Sequence, residues 1–258
     1  MKVITKVIIT ILILGGFLLA GCSNPASYGP DSEEPLPTEF LSSDFSGVAD
    51  GTDLSELGYE VVSKDNSGDP LDVPGFVVNA GVIESDSDDL AGWFDFTTPE
   101  FEISRNEDGG VLVEWEVRYP ESIPSGDHER AKFYLRLTDT AGANLYRFLF
   151  KPYLGAAQSA FNLELAKDDP ETSLQQVRSR DIDSSYTPTG ASAPWINFKL
   201  KLETSGDVTM LIDDVVFMTG LTDSSHALFS KVKLTYRTTA DAKNYTIQIR
   251  NLSVLPLE

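Results

Sequence analysis

The chain has 258 residues, and 40 acidic against 20 basic side chains give it a net charge of −20 at neutral pH. A surface this acidic repels nucleic acid and anionic lipid surfaces, so the composition excludes both as partners on electrostatic grounds. A hydrophobic share of 41% with 14 Phe, 9 Tyr and 3 Trp excludes a disordered chain. A single cysteine excludes a disulfide framework.

Residues 1–22 have the layout of an export signal. Two lysines precede an uncharged apolar run over 7–20, which is shorter than the roughly 20 apolar residues that a transmembrane helix needs. The segment ends in Leu19-Ala20-Gly21-Cys22, which resembles the lipobox of bacterial lipoproteins. The resemblance implies cleavage before Cys22, diacylation of that cysteine and a mature chain anchored to a membrane by lipid. The alternative is a plain signal peptide with a cysteine at its cleavage site.

Residues 23–39 predict an extended tether. They contain four prolines among small and acidic residues, a composition that cannot bury a core. By resemblance to bacterial sorting rules, Ser23 after the lipidated cysteine implies the outer membrane, facing either the periplasm or the cell surface. Removal of residues 1–22 takes away two lysines and no acid, so the mature chain would carry a net charge of −22.

From residue 40 onward the hydrophobic pattern has a period of two, which is typical of half-buried strands. The clearest alternation runs over 111–119, where Trp115 shares the apolar face and is predicted to lie in the core. Alternation over 131–138, the turn at 139–142 and the apolar run at 145–152 predict a hairpin. Residues 196–202 and 208–212 flank a Gly-containing turn and predict a second hairpin. Further strands are predicted at 75–84, 91–97, 160–167, 195–203, 207–218, 227–238 and 244–255.

These strands favour an all-β fold in which two antiparallel sheets pack face to face, as a single β-sandwich domain over 40–258. No stretch has the pattern of a long amphipathic helix, although 55–57 and 170–176 could each form one turn. Residues 154–190 are rich in Asp, Ser and Pro, and they predict a loop long enough to cover a sheet.

Three stretches resemble the concanavalin A-like jelly roll of laminin-G domains, bacterial lectins and glucanases. They are an opening at 44–54 that leads to a strand with Asn79-Ala80-Gly81, a late hairpin that ends in Asp213-Asp214, and a closing strand at 245–254. The resemblance implies a jelly-roll fold whose last strand returns beside the first. Because one fold hosts many functions, the resemblance predicts the architecture rather than an activity.

The candidate catalytic carboxylates are Glu114 and Glu116. Period-two geometry puts both on one face of a strand with roots roughly 6–7 Å apart, a spacing that suits paired-carboxylate hydrolysis of glycans. The glucanases of this fold carry a third acid, but Arg118 stands in that position here. The competing interpretation is a cross-strand ion-pair ladder with Arg136 or Arg147 opposite these acids.

Aromatic and basic side chains in the strands indicate a binding surface. Trp93, Tyr134, Arg136 and Arg147 are predicted to hold a glycan by ring stacking and charge-assisted hydrogen bonds. Glu114 and Glu116 are predicted to share this face. The alternative is a solvated sheet face whose charges serve solubility.

Closely spaced acids predict a calcium site, which jelly-roll binding modules often carry by resemblance. Carboxylate oxygens are the ligands that calcium prefers. The candidate ligands are Glu84, Asp86 and Asp88 in one stretch, and Asp50 and Asp53 in another. No other cofactor is expected.

The leading hypothesis is a membrane-anchored lipoprotein whose jelly-roll domain binds a polysaccharide without cleaving it. The first alternative is a polysaccharide hydrolase or lyase that uses Glu114 and Glu116. The second is a structural or adhesive envelope protein with no glycan ligand, which an exposed apolar patch without a groove would favour.

Overall fold

The structure, a computed structural model, describes residues 41–42, 44–86, 90–123, 131–152, 161–168, 175–182, 190–223, 225–238 and 245–257. All of them lie in one of the two compact units of the chain, Pro37–Glu258. The export signal, Cys22 and the tether lie outside the described residues, so they stay predictions. Within the described ranges, no helix has the length and apolarity that a bilayer span requires.

The described residues form β-strands and one 3-10 helix, Leu54–Leu57, whose first turn is capped by the carboxylate of Asp53. The strands, in chain order, are β1 (Leu41–Ser42), β2 (Thr52–Asp53), β3 (Glu60–Asp65), β4 (Gly75–Asn79), β5 (Val82–Asp86), β6 (Gly92–Thr97), β7 (Ile103–Ser104), β8 (Val111–Arg118), β9 (Lys132–Thr138), β10 (Asn144–Pro152), β11 (Phe161–Asp168), β12 (Gln175–Ile182), β13 (Ile196–Leu202), β14 (Asp207–Ile212), β15 (Val215–Thr222), β16 (Leu228–Phe229), β17 (Lys231–Arg237) and β18 (Gln248–Pro256).

The strands form two large sheets and a two-stranded ribbon of β16 and β7. The nine-stranded sheet has the order β15-β14-β13-β8-β18-β5-β4-β2, with β1 also paired to β18. The seven-stranded sheet has the order β12-β11-β10-β9-β17-β6-β3. Neighbouring strands pair antiparallel in both sheets, which confirms the predicted antiparallel all-β architecture. Leu41 pairs with Val254, so the last strand lies beside the first.

Apolar side chains from the two sheets meet in one core. Trp115 on β8 is fully buried, as predicted, and its ring lies 5.1 Å from that of Phe148 on β10. Phe76 on β4 meets Phe96 on β6 at 4.9 Å. The strands follow the period-two rule, since buried and half-buried positions alternate without exception along β8 and β13. Each fully buried side chain of this size contributes about 1.5–3 kcal/mol of transfer free energy, which explains why alternation decides the inward face.

Both predicted hairpins are present. The β9–β10 turn is closed by Asp139, whose backbone N–H donates to the carbonyl of Ala143 at 3.1 Å and whose carboxylate accepts from the N–H of Ala143 at 2.8 Å. The β13–β14 turn is closed by the N–H of Glu203, which donates to the carbonyl of Asp207 at 2.9 Å.

Two segments that were each predicted as one strand are hairpins. The span 75–84 turns at Ala80 and Gly81, and the span 207–218 turns at Asp213 and Asp214. All four residues have positive φ, between 48° and 75°. Two-residue turns of this kind match the twist of the flanking strands. Three of the four positions hold residues other than glycine, so the period-two pattern ran through both turns, and only the family resemblance placed the end of a hairpin at Asp213-Asp214.

The predicted loop over 154–190 is wrong in part. It contains β12 at the edge of the seven-stranded sheet, and β11 extends into it as predicted. Strand β3 was also missed. Both strands carry several polar residues and lie at sheet edges, where the apolar alternation that marks a strand is weakest.

Candidate functional site

The predicted acidic and basic site residues lie on different sheets. Glu114 and Glu116 are on β8 in the nine-stranded sheet, whereas Tyr134 and Arg136 on β9 and Arg147 on β10 are in the seven-stranded sheet. The prediction that they share one face is therefore wrong. Strand β8 pairs with β13 and β18, both distant in sequence, and nothing in its own pattern indicates these neighbours.

The ion-pair ladder on the nine-stranded sheet exists, but Arg136 and Arg147 are not its partners. Lys199 Nζ lies 2.7 Å from Glu114 Oε1, and Arg250 Nε donates to Glu116 Oε2. Lys199 also contacts Asp214 Oδ1 at 2.7 Å, and the hydrogen bonds to Asp214 and then Glu114 raise the pKa of Lys199 above its ordinary value. Both carboxylates are thus engaged with cations, an arrangement that favours the structural interpretation over hydrolysis.

A groove of about 820 Å³ lies beside this ladder. Its walls include Asp44, Asp50, Glu114 and Arg250. The register of β18 against β8 shifts at this point, and Asn251 there has a φ of 52°, so a bulge in β18 helps to shape the groove. A groove of this volume is in the range of small-ligand sites.

Trp195 stands just before β13 on the same sheet. The guanidinium carbons of Arg118 and Arg250 lie 4.8 and 4.2 Å from the centre of its ring. Two cation–π contacts of this kind fix the indole against the sheet. The indole is half-buried.

The calcium candidates make structural contacts. Glu84 accepts hydrogen bonds from Gln248 Nε2 at 2.6 Å and Asn79 Nδ2 at 3.2 Å. Asp50 accepts from the backbone N–H of Ala80 at 2.7 Å, and Asp53 caps the 3-10 helix. Among the residues with described positions, no three His, Cys, Asp or Glu side chains come together as a metal site would require.

Asp86 ends β5, whereas Asp88 lies outside the described residues. The calcium site therefore stays a prediction.

Three of the four predicted binding residues come into contact on the outer face of the seven-stranded sheet. The rings of Trp93 and Tyr134 lie 6.0 Å apart with 32° between their planes, across the intervening strand β17. The guanidinium carbon of Arg136 lies 4.9 Å from the centre of the Tyr134 ring, and Arg136 Nη1 donates to Thr235 Oγ1 at 2.6 Å. Arg147 pairs with Arg136 across β9 and β10. We refer to this outer face of β6, β17, β9 and β10 as the aromatic-basic face.

The structure adds residues that the sequence did not single out. Arg237 lies 4.2 Å from the centre of the Trp93 ring, and Lys233 Nζ lies 2.7 Å from Asp95 Oδ2. The period-two pattern places them on an outward face, but only the pairing of β17 between β6 and β9 brings them to the aromatic pair. A cavity of about 210 Å³ opens among these side chains, and its lining comprises Trp93, Asp95, Arg136, Asn144, Lys233 and Thr235.

The described surface carries few large exposed apolar side chains. Val215 and Val216 at the start of β15 are 69% and 56% exposed, and Leu228 and Leu90 lie elsewhere in the chain. This pair is small compared with the patches of several hundred Å² that mark protein interfaces. The described residues thus form no apolar patch of the size that the adhesive alternative would favour.

No protein-family model matches the sequence, and no curated protein matches it significantly. Solved structures do match the fold. The CBM2 module of an evolved Dit protein from Lactobacillus casei BL23 phage J-1 is similar with a TM-score of 0.59 at 11% identity, over 86% of this chain and 97% of that one. The carbohydrate recognition domain of Emp47p is similar with a TM-score of 0.56 at 9% identity, over 88% and 99% of the two chains.

The globular domain of T. cruzi calreticulin is similar with a TM-score of 0.54 at 9% identity, over 86% and 89% of the two chains. Identities this low bear on the fold alone. The described part of the chain therefore has the fold of an antiparallel jelly-roll β-sandwich, as the sequence predicted.

Proposed function

We propose that this protein is a non-catalytic carbohydrate-binding protein that holds a polysaccharide on its aromatic-basic face. The observation that carries the proposal is the contact of Trp93 with Tyr134 on an outward sheet face, next to a polar cavity. Aromatic rings stack on the apolar faces of sugars, while fixed polar groups bind the hydroxyls. Asp95 accepts hydrogen bonds, and Lys233 and Arg136 donate them, so the cavity offers both kinds of partner.

Two similar structures support this proposal, since one is a CBM2 module and the other a carbohydrate recognition domain. We further propose that acylation of Cys22 anchors the chain to the outer membrane. The tether over 23–39 would then hold the sandwich away from the lipid surface.

The test is binding of the soluble chain over 23–258 to a panel of neutral and acidic polysaccharides, with calcium and with a chelator, followed by substitution of Trp93. Trp93→Ala should weaken binding by at least about tenfold, because central aromatic contacts carry much of a binding free energy. The matched control is Trp195→Ala. Trp195 is also half-buried and also makes cation–π contacts, but it lies on the nine-stranded sheet.

Binding that is lost with Trp195→Ala but kept with Trp93→Ala would instead put the ligand near the 820 Å³ groove. No retention of any polysaccharide, with or without calcium, would overturn the proposal.

A further inference from the structure

The aromatic-basic face has a charge opposite to that of the whole chain. At the outward positions of its four strands with described side chains there is one acidic residue, Asp95, against six basic ones. The basic residues are Lys132, Arg136, Arg147, Lys231, Lys233 and Arg237. The full sequence holds 40 acidic and only 20 basic residues, so the excess of basic residues on this face departs strongly from the composition of the whole chain.

The outer face of the nine-stranded sheet, in contrast, carries acidic as well as basic residues. There, Glu114 and Glu116 stand among the bases and form ion pairs with Lys199 and Arg250. Glu84 adds a third acid to that sheet. Such a mixed face serves solubility equally well. On the aromatic-basic face, Lys233 and Lys231 also pair with acids, Asp95 at 2.7 Å and Glu100 at 3.9 Å. Solubility does not explain why four further basic residues stand on its four strands.

The arginines on the aromatic-basic face are held in place by contacts of their own. Arg237 stacks on Trp93, and Arg136 stacks on Tyr134 while it donates to Thr235. A guanidinium carries five N–H donors in a planar fork, and a carboxylate or sulfate fits this fork. The cost of ordering these long side chains on binding is reduced because they are already ordered.

We propose that the ligand of this face is an anionic polysaccharide, one whose sugar units carry carboxylate or sulfate groups. This inference rests on the proposed function and names its ligand class. The ring of Trp93 contacts the sugar face, with the 9% exposed Tyr134 packed beside it, and Arg136 and Arg237 bind the anionic groups. The cavity of about 210 Å³ is smaller than the roughly 300–1,000 Å³ of drug-sized sites, and it accommodates a single sugar unit of a longer chain.

The net charge of −20 does not oppose such a ligand at this face. Charges are screened over about 8 Å at physiological ionic strength, so acids on distant loops and on the other sheet contribute little to the potential here. A local basic face on an acidic molecule also orients an approaching polyanion. Asp95 beside the cavity and the aromatic pair favour a sugar with hydroxyls over the denser phosphates of nucleic acid or anionic lipid.

The experiment compares polysaccharides that share a backbone and differ in charge, with the full-length protein in non-ionic detergent. The probes are polygalacturonate against its methyl-esterified form, and dextran sulfate against dextran. The anionic member of at least one pair should bind at least about tenfold more tightly than the neutral member, and its affinity should fall as salt rises.

Matched variants test the position of the anion site. Arg136→Gln and Arg237→Gln should each weaken binding of the anionic polymer by about tenfold. Lys201→Gln removes one positive charge from the outer face of the nine-stranded sheet and should leave binding within about twofold. An equal loss with Lys201→Gln would show unspecific attraction and overturn the inference.

Other outcomes separate the two proposals. Equal binding of neutral and anionic polymers, reduced by Trp93→Ala, would overturn the anionic ligand and leave carbohydrate binding intact. No binding of either member would overturn both. Binding of anionic phospholipid vesicles or single-stranded DNA, without binding of an anionic polysaccharide, would also overturn the inference in favour of another polyanion.

Discussion

Asp223 lies at the centre of a buried polar cluster that no pattern in the sequence marks. Its side chain is fully buried and receives Lys167 Nζ at 2.8 Å and the hydroxyl of Tyr146. The buried guanidinium of Arg105 donates to the Asp223 carbonyl at 2.7 Å and lies 3.9 Å from its carboxylate. The cluster joins β10, β11 and the segments that flank β7 and β15, so one carboxylate connects parts of both large sheets.

Substitution of this carboxylate should be strongly destabilising. Asp223→Asn leaves the buried charge of Arg105 without its counter-charge, and removal of one partner of a buried pair costs about 3–5 kcal/mol. Tyr146→Phe keeps the charge of Asp223 and removes only the hydroxyl that donates to Asp223 and accepts from Arg105 Nη1 at 3.4 Å, so it should cost only about 1–2 kcal/mol. Urea unfolding followed by tryptophan fluorescence measures both. Equal losses for the two variants would show that the charge of Asp223 is unimportant.

The lowered pKa of Asp223 predicts how the stability lost in Asp223→Asn depends on pH. Burial by itself would raise the pKa of Asp223, but hydrogen bonds from Lys167, Tyr146 and Ser225 lower it well below its ordinary value of 3.8. A carboxyl whose pKa is lower in the folded state stabilises the fold above its unfolded pKa, and this contribution is lost as the pH falls. The difference in free energy of unfolding between wild type and Asp223→Asn should therefore be constant near pH 7 and become smaller below about pH 4.

At the scale of elements, the hairpin turns differ in what surrounds them. Gly206 in the β13–β14 turn has a φ of 94°, and its N–H and C=O both bond to the backbone, the latter accepting from the N–H of Asp223 at 2.7 Å. A Cβ at this position would lie 2.7 Å from the carbonyl oxygen of Asp223. Gly142 in the β9–β10 turn has a similar φ of 81°, but a Cβ there would meet no atom within 4 Å.

This difference makes the two glycines a matched pair. Gly142→Ala should cost about 1 kcal/mol, since only the left-handed backbone conformation is penalised. Gly206→Ala should cost about 2–4 kcal/mol, because the backbone of Asp223 must also move away from the new methyl group. Thermal and urea unfolding of the two variants provide the measurement. A Gly206→Ala variant as stable as Gly142→Ala would mean that the contact with Asp223 is not required.

At the scale of the whole molecule, the predicted anchor determines where the sandwich acts. If Cys22 is acylated, the protein should sediment with membranes and incorporate labelled palmitate in bacterial cells. Two acyl chains give stable anchoring, since each buried methylene contributes about 0.8 kcal/mol. Cys22→Ser should abolish the label and the membrane association. A wild-type protein recovered wholly in the soluble fraction, without label, would contradict the predicted anchor.

The sequence determined the local structure of the sandwich. Alternation placed Trp115 in the core and Trp93 on an outward face, because a strand of period two has only one apolar side. The Gly-containing turns fixed both predicted hairpins. The turn at Ala80-Gly81 and polar edge strands such as β12 gave no comparable signal and were missed.

Only the tertiary structure decided which strands are neighbours. The alternating pattern shows to which side of its own strand a residue points. The order of the strands depends instead on how apolar faces that are distant in sequence fill one core. For this reason Glu114 meets Lys199 rather than Arg136. For the same reason Arg237 reaches Trp93 from a strand that lies more than a hundred residues later in the chain. The aromatic-basic face is therefore a product of strand order, built from residues whose types the sequence shows and whose proximity it does not.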